Sequence, residues 1–153
     1  MRVIVAGTFD LLHIGHRKLL ERAFTLAGSN GTVLIGLTTD AFASRKEHTV
    51  RPYELRKQDL VSWIAKSGFD AACLIEPLSD PFGPALTADF DALVVSYETY
   101  PAGNLINEKR RAAGLKEVEL HTIPCVFAED GQAVSSTRIY RGEITRTGAL
   151  VPK

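Results

Sequence analysis

The sequence predicts an α/β fold in which helices cover both faces of a parallel β-sheet. Short β-branched runs alternate with longer segments in which apolar residues recur every three or four positions. Several of the short runs are apolar at every position, which is typical of strands that are buried on both faces. A length of 153 residues suits one domain. We therefore expect residues 1–153 to form a single α/β domain with five strands.

The first half of the chain predicts two strands and two helices. The run RVIVA ends at a glycine, and the run TVLIGL is similarly apolar. Apolar residues repeat with helical spacing up to Gly28, and Pro52 can open a second helix. We predict strands over 2–6 and 32–37 and helices over about 15–27 and 53–66, the second helix with Leu55, Leu60, Trp63 and Ile64 on its apolar side.

The second half of the chain predicts three strands and two helices. We expect strands over 71–76, 92–96 and 118–123, a helix over about 102–113, and a final helix over 135–144. The final helix begins with hydroxyl side chains, which cap free N–H groups at helix starts. The turn-rich segment PLSDPFGP indicates a wall of an active site and not a domain boundary.

The charge of the chain is balanced, with 18 basic and 18 acidic residues. A nucleic-acid or anionic-membrane partner is usually matched by a positive field, so we expect neither partner, and any anion site must be local. Hydrophobic residues make up 45% of the chain and charged residues 24%, which is typical of a globular protein.

The two cysteines, Cys73 and Cys125, lie far apart in the sequence and lack the spacing of metal ligands. Low cysteine use suits a reducing compartment, so we expect buried, reduced thiols. The first apolar run is too short for a signal sequence or a membrane span. The sequence therefore predicts a cytoplasmic protein.

A polar segment follows each of the five predicted strands. In chain order these segments are GTFDLLHIGH, TTDAFASRK, PLSDPFGP, SYETYPAGN and SSTRI. In an open α/β sheet, ligands bind outside the carboxyl ends of the strands, near the point where the strand order reverses. We therefore expect a single site at this edge of the sheet.

His13 and His16 lie three positions apart around Gly15, directly after the first strand. Metal binding is not favoured, because the spacing is not that of a zinc-binding helix and no third ligand is placed nearby. For an isolated pair, two interpretations stay open: each imidazole caps a turn, or the pair binds an anion. The glycine and the helix start favour the second interpretation, anion binding. Free N–H groups at a helix start attract phosphate oxygens, and histidine can donate to such oxygens.

Ser135, Ser136 and Thr137 are three consecutive hydroxyl residues at a predicted helix start. A single hydroxyl is enough for an N-cap, so the group alone does not distinguish a cap from an anion site. Together with the histidine pair at the same edge, it favours a second phosphate-binding segment.

Basic residues give weaker signals. Arg45 and Lys46 follow the second strand, and a basic pair is usually solvated surface, but its position makes Lys46 a candidate ligand for a substrate phosphate. His48 and His121 have no partner pattern and receive no role. The arginines in or beside predicted helices are expected to be exposed, namely Arg51, Arg56, Arg110 and Arg111.

GTFDLLHIGH resembles the T/HxGH signature of the nucleotidyltransferase superfamily, and VSSTRI resembles the ISSTxI signature of its adenylyl-transferring members. Nearly the whole chain is similar to the archaeal and eukaryotic type of phosphopantetheine adenylyltransferase, through LTTDAFASRK, RPYELRKQDL, DPFGPA, ALVVSYETYPAGNLINEKRRAAGL and SSTRIYRGEI. The resemblance implies a Rossmann-like, doubly wound sheet and a monomer. It also implies transfer of the adenylyl group of ATP to 4′-phosphopantetheine, giving dephospho-coenzyme A and pyrophosphate in coenzyme A synthesis.

The resemblance implies residue roles as well. Thr8 matches the position that contacts both ATP and the acceptor phosphate, with a backbone contact from Phe9 beside it. His13 and His16 match the phosphate-binding pair, in which His16 stabilises charge at the α-phosphorus as pyrophosphate leaves. The other implied contacts are Lys46, or alternatively Arg45, for the attacking phosphate, Ser135, Ser136, Thr137 and Arg138 for the β- and γ-phosphates, Tyr97, Glu98 and Thr99 for the adenosine, and Asp80 and Phe82 for the pantetheine arm.

The attacking phosphate oxygen is already anionic, so the implied reaction needs positioning and charge stabilisation and no strong general base. Mg²⁺ is expected to arrive with ATP, because the sequence shows no carboxylate cage for it. One alternative is another transfer on the same fold, as by glycerol-3-phosphate cytidylyltransferase or FAD synthetase, although cytidylyltransferases carry RTxGISTT where this chain has VSSTRI. A second alternative, a regulatory module that binds a nucleotide without catalysis, is opposed by the intact Thr8, His13 and His16.

Overall fold

A five-stranded parallel sheet forms the centre of the molecule. The computed structural model describes residues 1–43 and 49–152. The strands are β1 (Arg2–Gly7), β2 (Thr32–Thr38), β3 (Ala72–Leu78), β4 (Ala92–Ser96) and β5 (Glu119–Ile123). Their order in the sheet is β3-β2-β1-β4-β5, and each neighbouring pair is parallel. The predicted α/β fold with a parallel sheet is confirmed.

Helices lie between most of the strands, and one follows the last strand. They are α1 (Ile14–Ala27), α2 (Asp40–Ala43), α3 (Tyr53–Ser67), α4 (Tyr100–Ala112) and α5 (Ser136–Tyr140), with a short 3-10 helix over Gly83–Leu86. None of the helices in the described ranges is long and apolar enough to cross a membrane.

Successive residues of the central strands pack against different helices. Val5 of β1 is fully buried in a cluster that also contains Phe24 of α1 and Leu60 of α3. Its neighbour Ile4 points to the other side and packs in a cluster with Ile106 of α4. The centre of the sheet is therefore covered on both faces, as the uniformly apolar strands β1 and β4 predict.

The strand order reverses at β1, which has β2 on one side and β4 on the other. The chain leaves β1 for α1, on one face of the sheet, and leaves β4 for α4, on the other face. A crevice opens where two such connections diverge, at the carboxyl ends of β1 and β4.

Several boundaries differ from the prediction. The final helix ends at Tyr140, because Gly142 has a φ of 75° and the chain turns back so that Ile144 pairs with Leu150. Strand β3 continues through Pro77, which is tolerated because β3 is an edge strand. Helix α4 begins two positions before the predicted start, and α2 was not predicted.

The predicted exposure of the arginines is wrong for three of the four, since Arg51 is half-buried and two others are buried. Arg56 is fully buried and Arg110 is 3% exposed. The Arg110 guanidinium donates from Nε to the carbonyl of Lys116 and from Nη1 to those of Ala85 and Ala88. Backbone carbonyls thus satisfy a cation whose side chain packs in the core.

Three further side chains differ from their predicted burial. Leu55, expected on the apolar side of α3, is 45% exposed. Cys73 and Cys125 are both free but only half-buried. Burial is still sufficient to raise the pKa of the Cys73 thiol above its usual value.

Candidate active site

Two cavities open at the carboxyl ends of β1 and β4. The polar cavity, of about 540 Å³, is lined by the loop after β1, the start of α1, the residues that follow β4 and β5, and the start of α5. The apolar cavity, of about 470 Å³, lies among β1, β2, β4, the 3-10 helix and α4. Ala6, Gly7, Thr8 and Thr99 line both cavities. A ligand with a polar and an apolar part can therefore span the two past Thr8.

The loop between β1 and α1 has a strained backbone. Phe9, Leu11 and Leu12 have φ values of 49°, 61° and 24°, in a region that residues other than glycine rarely adopt. Such conformations cost on the order of 1–3 kcal/mol each, so surrounding contacts must hold the loop. Phe9 contributes by full burial, with its ring 3.2 Å from the position that a Cβ on Gly7 would occupy.

Asp10 ties this loop to two distant segments. Its carboxylate is 1% exposed and accepts hydrogen bonds from Nε of Arg51 at 2.8 Å and from the hydroxyl of Tyr140 at 2.5 Å. Its carbonyl accepts from the hydroxyl of Ser136 at 3.0 Å. Arg51, expected to be exposed, is half-buried because it bridges Asp10 and Asp59. The loop after β1 and helix α5 are thereby held in a fixed relation.

His13 and His16 stack, with ring centroids 3.6 Å apart and ring planes 14° apart. Nδ1 of His13 accepts from the N–H groups of Gly15 and His16, and Nδ1 of His16 accepts from the N–H of His13. An accepting Nδ1 carries no proton, so Nε2 is the donor atom of each neutral ring. Both residues line the polar cavity. The capping and anion-binding interpretations are therefore compatible, because they use different ring nitrogens.

His13 is neutral at physiological pH. Burial lowers its pKa to about 4, and the charge of Arg17 acts in the same direction, while a hydrogen bond with the backbone of His13 opposes them. Gly15 makes room for the ring, because a Cβ at this position would lie 2.9 Å from Cε1 of His13. The glycine therefore permits the close approach of an imidazole to the first turn of α1.

The three hydroxyl residues before and within α5 line the polar cavity. Ser135 is the N-cap, and its Oγ accepts from the N–H of Arg138 at 3.2 Å. The Ser136 hydroxyl donates to the carbonyl of Asp10, so its proton is already used within the protein. Thr137 completes the group. The structure thus places the hydroxyl segment and the histidine pair around one cavity.

Arg138 does not line the polar cavity in the described structure. Its guanidinium pairs with Asp130 and Glu143 and donates to the carbonyl of Ala133 at 3.1 Å. The hydrogen bond from Arg138 also lowers the pKa of the Asp130 carboxyl. The guanidinium expected to bind phosphate therefore braces the segment that precedes α5.

The segment after β4 supplies another wall of the polar cavity, formed by Tyr97, Glu98 and Thr99. The Tyr97 hydroxyl donates to Oε1 of Glu98 at 3.2 Å, and Oγ1 of Thr99 accepts from the N–H of Ser96 at 3.0 Å. Cys125, which was not predicted to belong to the site, lines the same cavity.

The segment of residues 77–84 forms a wall of the apolar cavity through Phe82 and its neighbouring prolines. Asp80 is not among the lining residues. Its Oδ1 accepts from the N–H groups of Gly83 at 2.6 Å and Phe82 at 2.9 Å, and these hydrogen bonds lower the pKa of the Asp80 carboxyl. Asp80 therefore shapes the turn that presents Phe82.

Lys46 and its alternative Arg45 lie outside the described residues, as does His48. Within residues 1–43 and 49–152, no group of three or more His, Cys, Asp or Glu side chains is placed to hold a metal ion. The side-chain donors that the structure does place around the polar cavity include imidazole and hydroxyl groups.

Three residues that organise the site were not predicted. Asp10 is the first, and the others are Thr38, whose hydroxyl donates to that of Thr8 at 3.0 Å, and Arg56, which donates to the carbonyl of Thr8 at 3.0 Å. Arg56 precedes Leu60 by four positions and so shares the buried side of α3, a spacing from which its burial could have been inferred. The role of Asp10 has no comparable local signal, because its partner Tyr140 is 130 positions away.

The cytidylyltransferase-like family model matches residues 4–142 of the chain. The phosphopantetheine adenylyltransferase of Methanosarcina mazei is 45% identical over 150 residues, which cover 97% of this chain and 96% of that protein. The Methanosarcina barkeri protein of the same name is 47% identical, with coverage of 97% and 92%. A crystal structure of a protein of unknown function from Archaeoglobus fulgidus superposes with a TM-score of 0.73 at 34% identity, covering 80% of this chain and 89% of that one.

The matching sequences extend over both cavities, the histidine pair and the hydroxyl segment, and the structural match confirms the Rossmann-like nucleotidyltransferase fold. The resemblance noted in the sequence is therefore confirmed by relatives of nearly equal length. The chain belongs to the cytidylyltransferase-like family and, within it, to the phosphopantetheine adenylyltransferases.

Proposed function

We propose that this chain transfers the adenylyl group of ATP to 4′-phosphopantetheine, giving dephospho-coenzyme A and pyrophosphate, with residues 1–153 acting as one nucleotidyltransferase domain. The observation that carries the proposal is the meeting of a polar and an apolar cavity at Thr8. The reaction joins a nucleotide to a long, largely uncharged acceptor arm that ends in a phosphate, so it needs two such cavities with a shared boundary. The names of the full-length relatives agree with this assignment.

The polar cavity is assigned to ATP. Its imidazole and hydroxyl donors suit the triphosphate, with Ser135, Ser136 and Thr137 near the β- and γ-phosphates. Because the Ser136 hydroxyl donates to the carbonyl of Asp10, its proton is not available to a phosphate in this arrangement. Tyr97, Glu98 and Thr99 are assigned to the adenosine. Arg138 is assigned an indirect role, in which its contacts with Asp130, Glu143 and the carbonyl of Ala133 hold the hydroxyl segment in place.

The apolar cavity is assigned to the pantetheine arm. Its volume of about 470 Å³ lies in the range of small-molecule pockets, and its lining is predominantly apolar. Phe82 contacts the arm directly, while Asp80 fixes the turn around Phe82. The terminal phosphate of the arm then lies beside Thr8, at the boundary with the nucleotide.

In the reaction, a 4′-phosphate oxygen attacks the α-phosphorus of ATP in line, a new phosphorus–oxygen bond forms, and the bond to the departing pyrophosphate breaks. The attacking oxygen is already anionic, so no general base is needed. Thr8 and Phe9 position the reacting groups, and Lys46 is assigned to the attacking phosphate. His16 donates to the charge that develops at the α-phosphate, and neutral His13 donates to the bound triphosphate.

Mg²⁺ is assigned to the substrate and enters as MgATP, where it offsets the charge of the phosphates. A monomeric enzyme is proposed from the resemblance to the archaeal and eukaryotic type alone. The balanced charge supports small-molecule substrates and no nucleic-acid partner. The free cysteines support a cytoplasmic location.

The direct test is to incubate the purified protein with MgATP and 4′-phosphopantetheine and to quantify dephospho-coenzyme A and pyrophosphate. We expect both products in equal amounts, and a much lower rate when CTP replaces ATP. No product at high enzyme concentration would contradict the proposal. A preference for CTP would favour the cytidylyltransferase alternative, and ATP binding without turnover on any acceptor would favour a regulatory module.

A further inference from the structure

We propose that Arg56 is a positioning residue that acts through Thr38 to make the hydroxyl of Thr8 a hydrogen-bond donor to the acceptor phosphate. This inference rests on the proposed function and adds two residues to which the reaction assigns no role. It concerns the boundary between the two cavities, where Thr8 contributes to the lining of each.

The Arg56 guanidinium lies beneath this boundary and is fully buried. Nε donates to the carbonyl of Arg51 at 2.8 Å, and Nη2 donates to Oδ1 of Asp40 at 3.0 Å. Nη1 donates both to the carbonyl of Thr8 at 3.0 Å and to Oγ1 of Thr38 at 3.3 Å. One nitrogen of a buried cation therefore contacts the backbone of Thr8 and the side chain that reaches the Thr8 hydroxyl.

The direction of these hydrogen bonds follows from the chemistry of arginine. A guanidinium has only donors, so Oγ1 of Thr38 must accept from Arg56. The single hydroxyl proton of Thr38 is then donated to Oγ1 of Thr8, at 3.0 Å. Because Oγ1 of Thr8 accepts this bond, the proton of Thr8 is left to donate to a ligand in the cavities. A phosphate has only acceptor oxygens when it is fully ionised, so it requires such a donor.

The same guanidinium also orients the backbone at the start of the strained loop. The carbonyl of Thr8 belongs to the peptide unit that precedes Phe9, whose φ is 49°. Fixing this peptide plane helps to hold both the left-handed conformation of Phe9 and the position of Thr8. Thr38, at the carboxyl end of β2, is itself 4% exposed, so water does not readily replace its hydroxyl.

Stability alone is a weak reason for a cation at this position. The Asp40 side chain that pairs with Arg56 is 64% exposed, which limits the strength of the ion pair. A buried cation usually contributes little net stability compared with an apolar side chain of similar volume. The arrangement is accounted for by the two contacts to Thr8 and Thr38, which an apolar side chain cannot make.

The test is a double-mutant cycle that measures kcat and the KM values of both substrates. Thr38→Val removes the hydroxyl but keeps the shape of the side chain, and we expect it to lower kcat by about ten-fold to about a hundred-fold. Thr8→Val should lower kcat by about a hundred-fold or more. If Thr38 acts only through the Thr8 hydroxyl, adding Thr38→Val to Thr8→Val should change kcat by no more than about two-fold.

Thr32→Val is the matched control, since it makes the same change at the opposite end of the same strand, β2. We expect it to retain the wild-type kcat. Arg56→Lys keeps the charge but cannot reproduce the forked contacts, so it should lower kcat in the wild-type background. The loss should be smaller in the Thr38→Val background, where only the contact to the Thr8 carbonyl remains to be lost. Circular dichroism identifies any variant that fails to fold. If Arg56→Lys does not fold, the kcat of Thr38→Val still tests the proposal.

The outcomes distinguish a failure of the proposed function from a failure of the role of Arg56 and Thr38. Absence of dephospho-coenzyme A from both the wild type and Thr32→Val overturns the proposed function and, with it, the role of Arg56. If both proteins are active, a wild-type kcat for Thr38→Val overturns the role of Arg56 and Thr38 alone. Equal losses from Thr38→Val in the wild-type and Thr8→Val backgrounds also overturn it, because the hydroxyl of Thr38 would then act by another route.

Discussion

The hydroxyl of Tyr140 donates to Oδ2 of Asp10 at 2.5 Å, joining the last residue of α5 to the loop after β1. Asp10 is 1% exposed and also accepts from Arg51, so its carboxylate is satisfied from two sides. The loop after β1 and helix α5, which both line the polar cavity, are therefore held together by a contact in which neither the histidine rings nor the Ser135 cap takes part.

Tyr140→Phe removes only the donor in this contact. We expect the free energy of unfolding to fall by about 1–3 kcal/mol, because a buried carboxylate loses one of its two donors. The KM for ATP should rise, since α5 is then less firmly placed relative to His13 and His16. Urea unfolding and steady-state kinetics measure the two effects.

Tyr100→Phe is the control for Tyr140→Phe, because Tyr100 is 41% exposed and lines neither cavity. It should change stability by no more than about 0.5 kcal/mol. An unfolding free energy for Tyr140→Phe equal to that of the wild type would contradict the structural role of the hydroxyl.

The low pKa of His13 predicts loss of stability in mild acid. The ordinary pKa of 6.5 falls to about 4 in the folded protein, chiefly because burial disfavours the charged ring. Below pH 6.5 the unfolded chain takes up a proton that the folded protein refuses, so stability falls as the pH drops toward 4. The total contribution is on the order of 3 kcal/mol.

The variant His13→Asn isolates this effect, because asparagine can still accept the N-cap hydrogen bonds but does not titrate. Unfolding free energies measured between pH 7 and pH 4 should fall more steeply for the wild type than for His13→Asn. Parallel pH profiles, or a His13 resonance that titrates near the ordinary value, would contradict the expectation.

The strands, their parallel arrangement and the meeting of the histidine pair and the hydroxyl segment at one edge of the sheet could be predicted from local sequence patterns. The apolar runs of β1 and β4 determine their burial, and the helix start at Ile14 follows directly from the residues around Gly15. These features depend on neighbours in sequence, to which periodicity and capping rules apply.

Long-range polar contacts could not be predicted in the same way. The exposure expected for Arg56 and Arg110 is wrong because their partners are carbonyls and side chains supplied by other elements of the fold. The guanidinium of Arg138 pairs with Asp130, eight positions earlier, in a contact that depends on the turn around Gly131 and not on helical or strand periodicity. Tertiary packing determines the partners of these side chains, and the spacing of residues in the sequence does not indicate them.

Substitution of Arg110 is expected to weaken binding of the acceptor, 4′-phosphopantetheine, selectively. Its Nη1 holds the carbonyls of Ala85 and Ala88, around the end of the 3-10 helix that lines the apolar cavity. Lysine cannot make all of these contacts at once. Arg110→Lys should therefore raise the KM for 4′-phosphopantetheine by about ten-fold, corresponding to one lost hydrogen bond of a charged group.

In the same variant, the KM for ATP should stay within about two-fold of the wild type, because the polar cavity is not touched. Arg111→Lys is the matched control, since Arg111 is exposed and pairs with Glu117 on the surface. Equal increases in both KM values for Arg110→Lys would indicate a general loss of structure, and unchanged values would contradict the role of Arg110 in the cavity wall.

Among the described side chains, we expect substitution of His16 to cause the largest loss of kcat. Its Nδ1 accepts from the N–H of His13, which leaves Nε2 as the donor that can stabilise charge at the α-phosphate. His16→Ala removes both functions, whereas His16→Asn retains an acceptor for the cap and lacks a donor at the position of Nε2. Both variants should lower kcat by about a hundred-fold to about a thousand-fold, the usual effect of losing a donor to a developing negative charge.

Only His16→Ala should also lose stability, by about 1 kcal/mol, because it alone removes the capping contact. His121→Ala is the control for loss of an imidazole, since His121 lies on β5 and lines neither cavity. A wild-type kcat for His16→Asn would exclude Nε2 of His16 from the transition state. The inactivity of His16→Ala would then have to be attributed to the displaced backbone of His13.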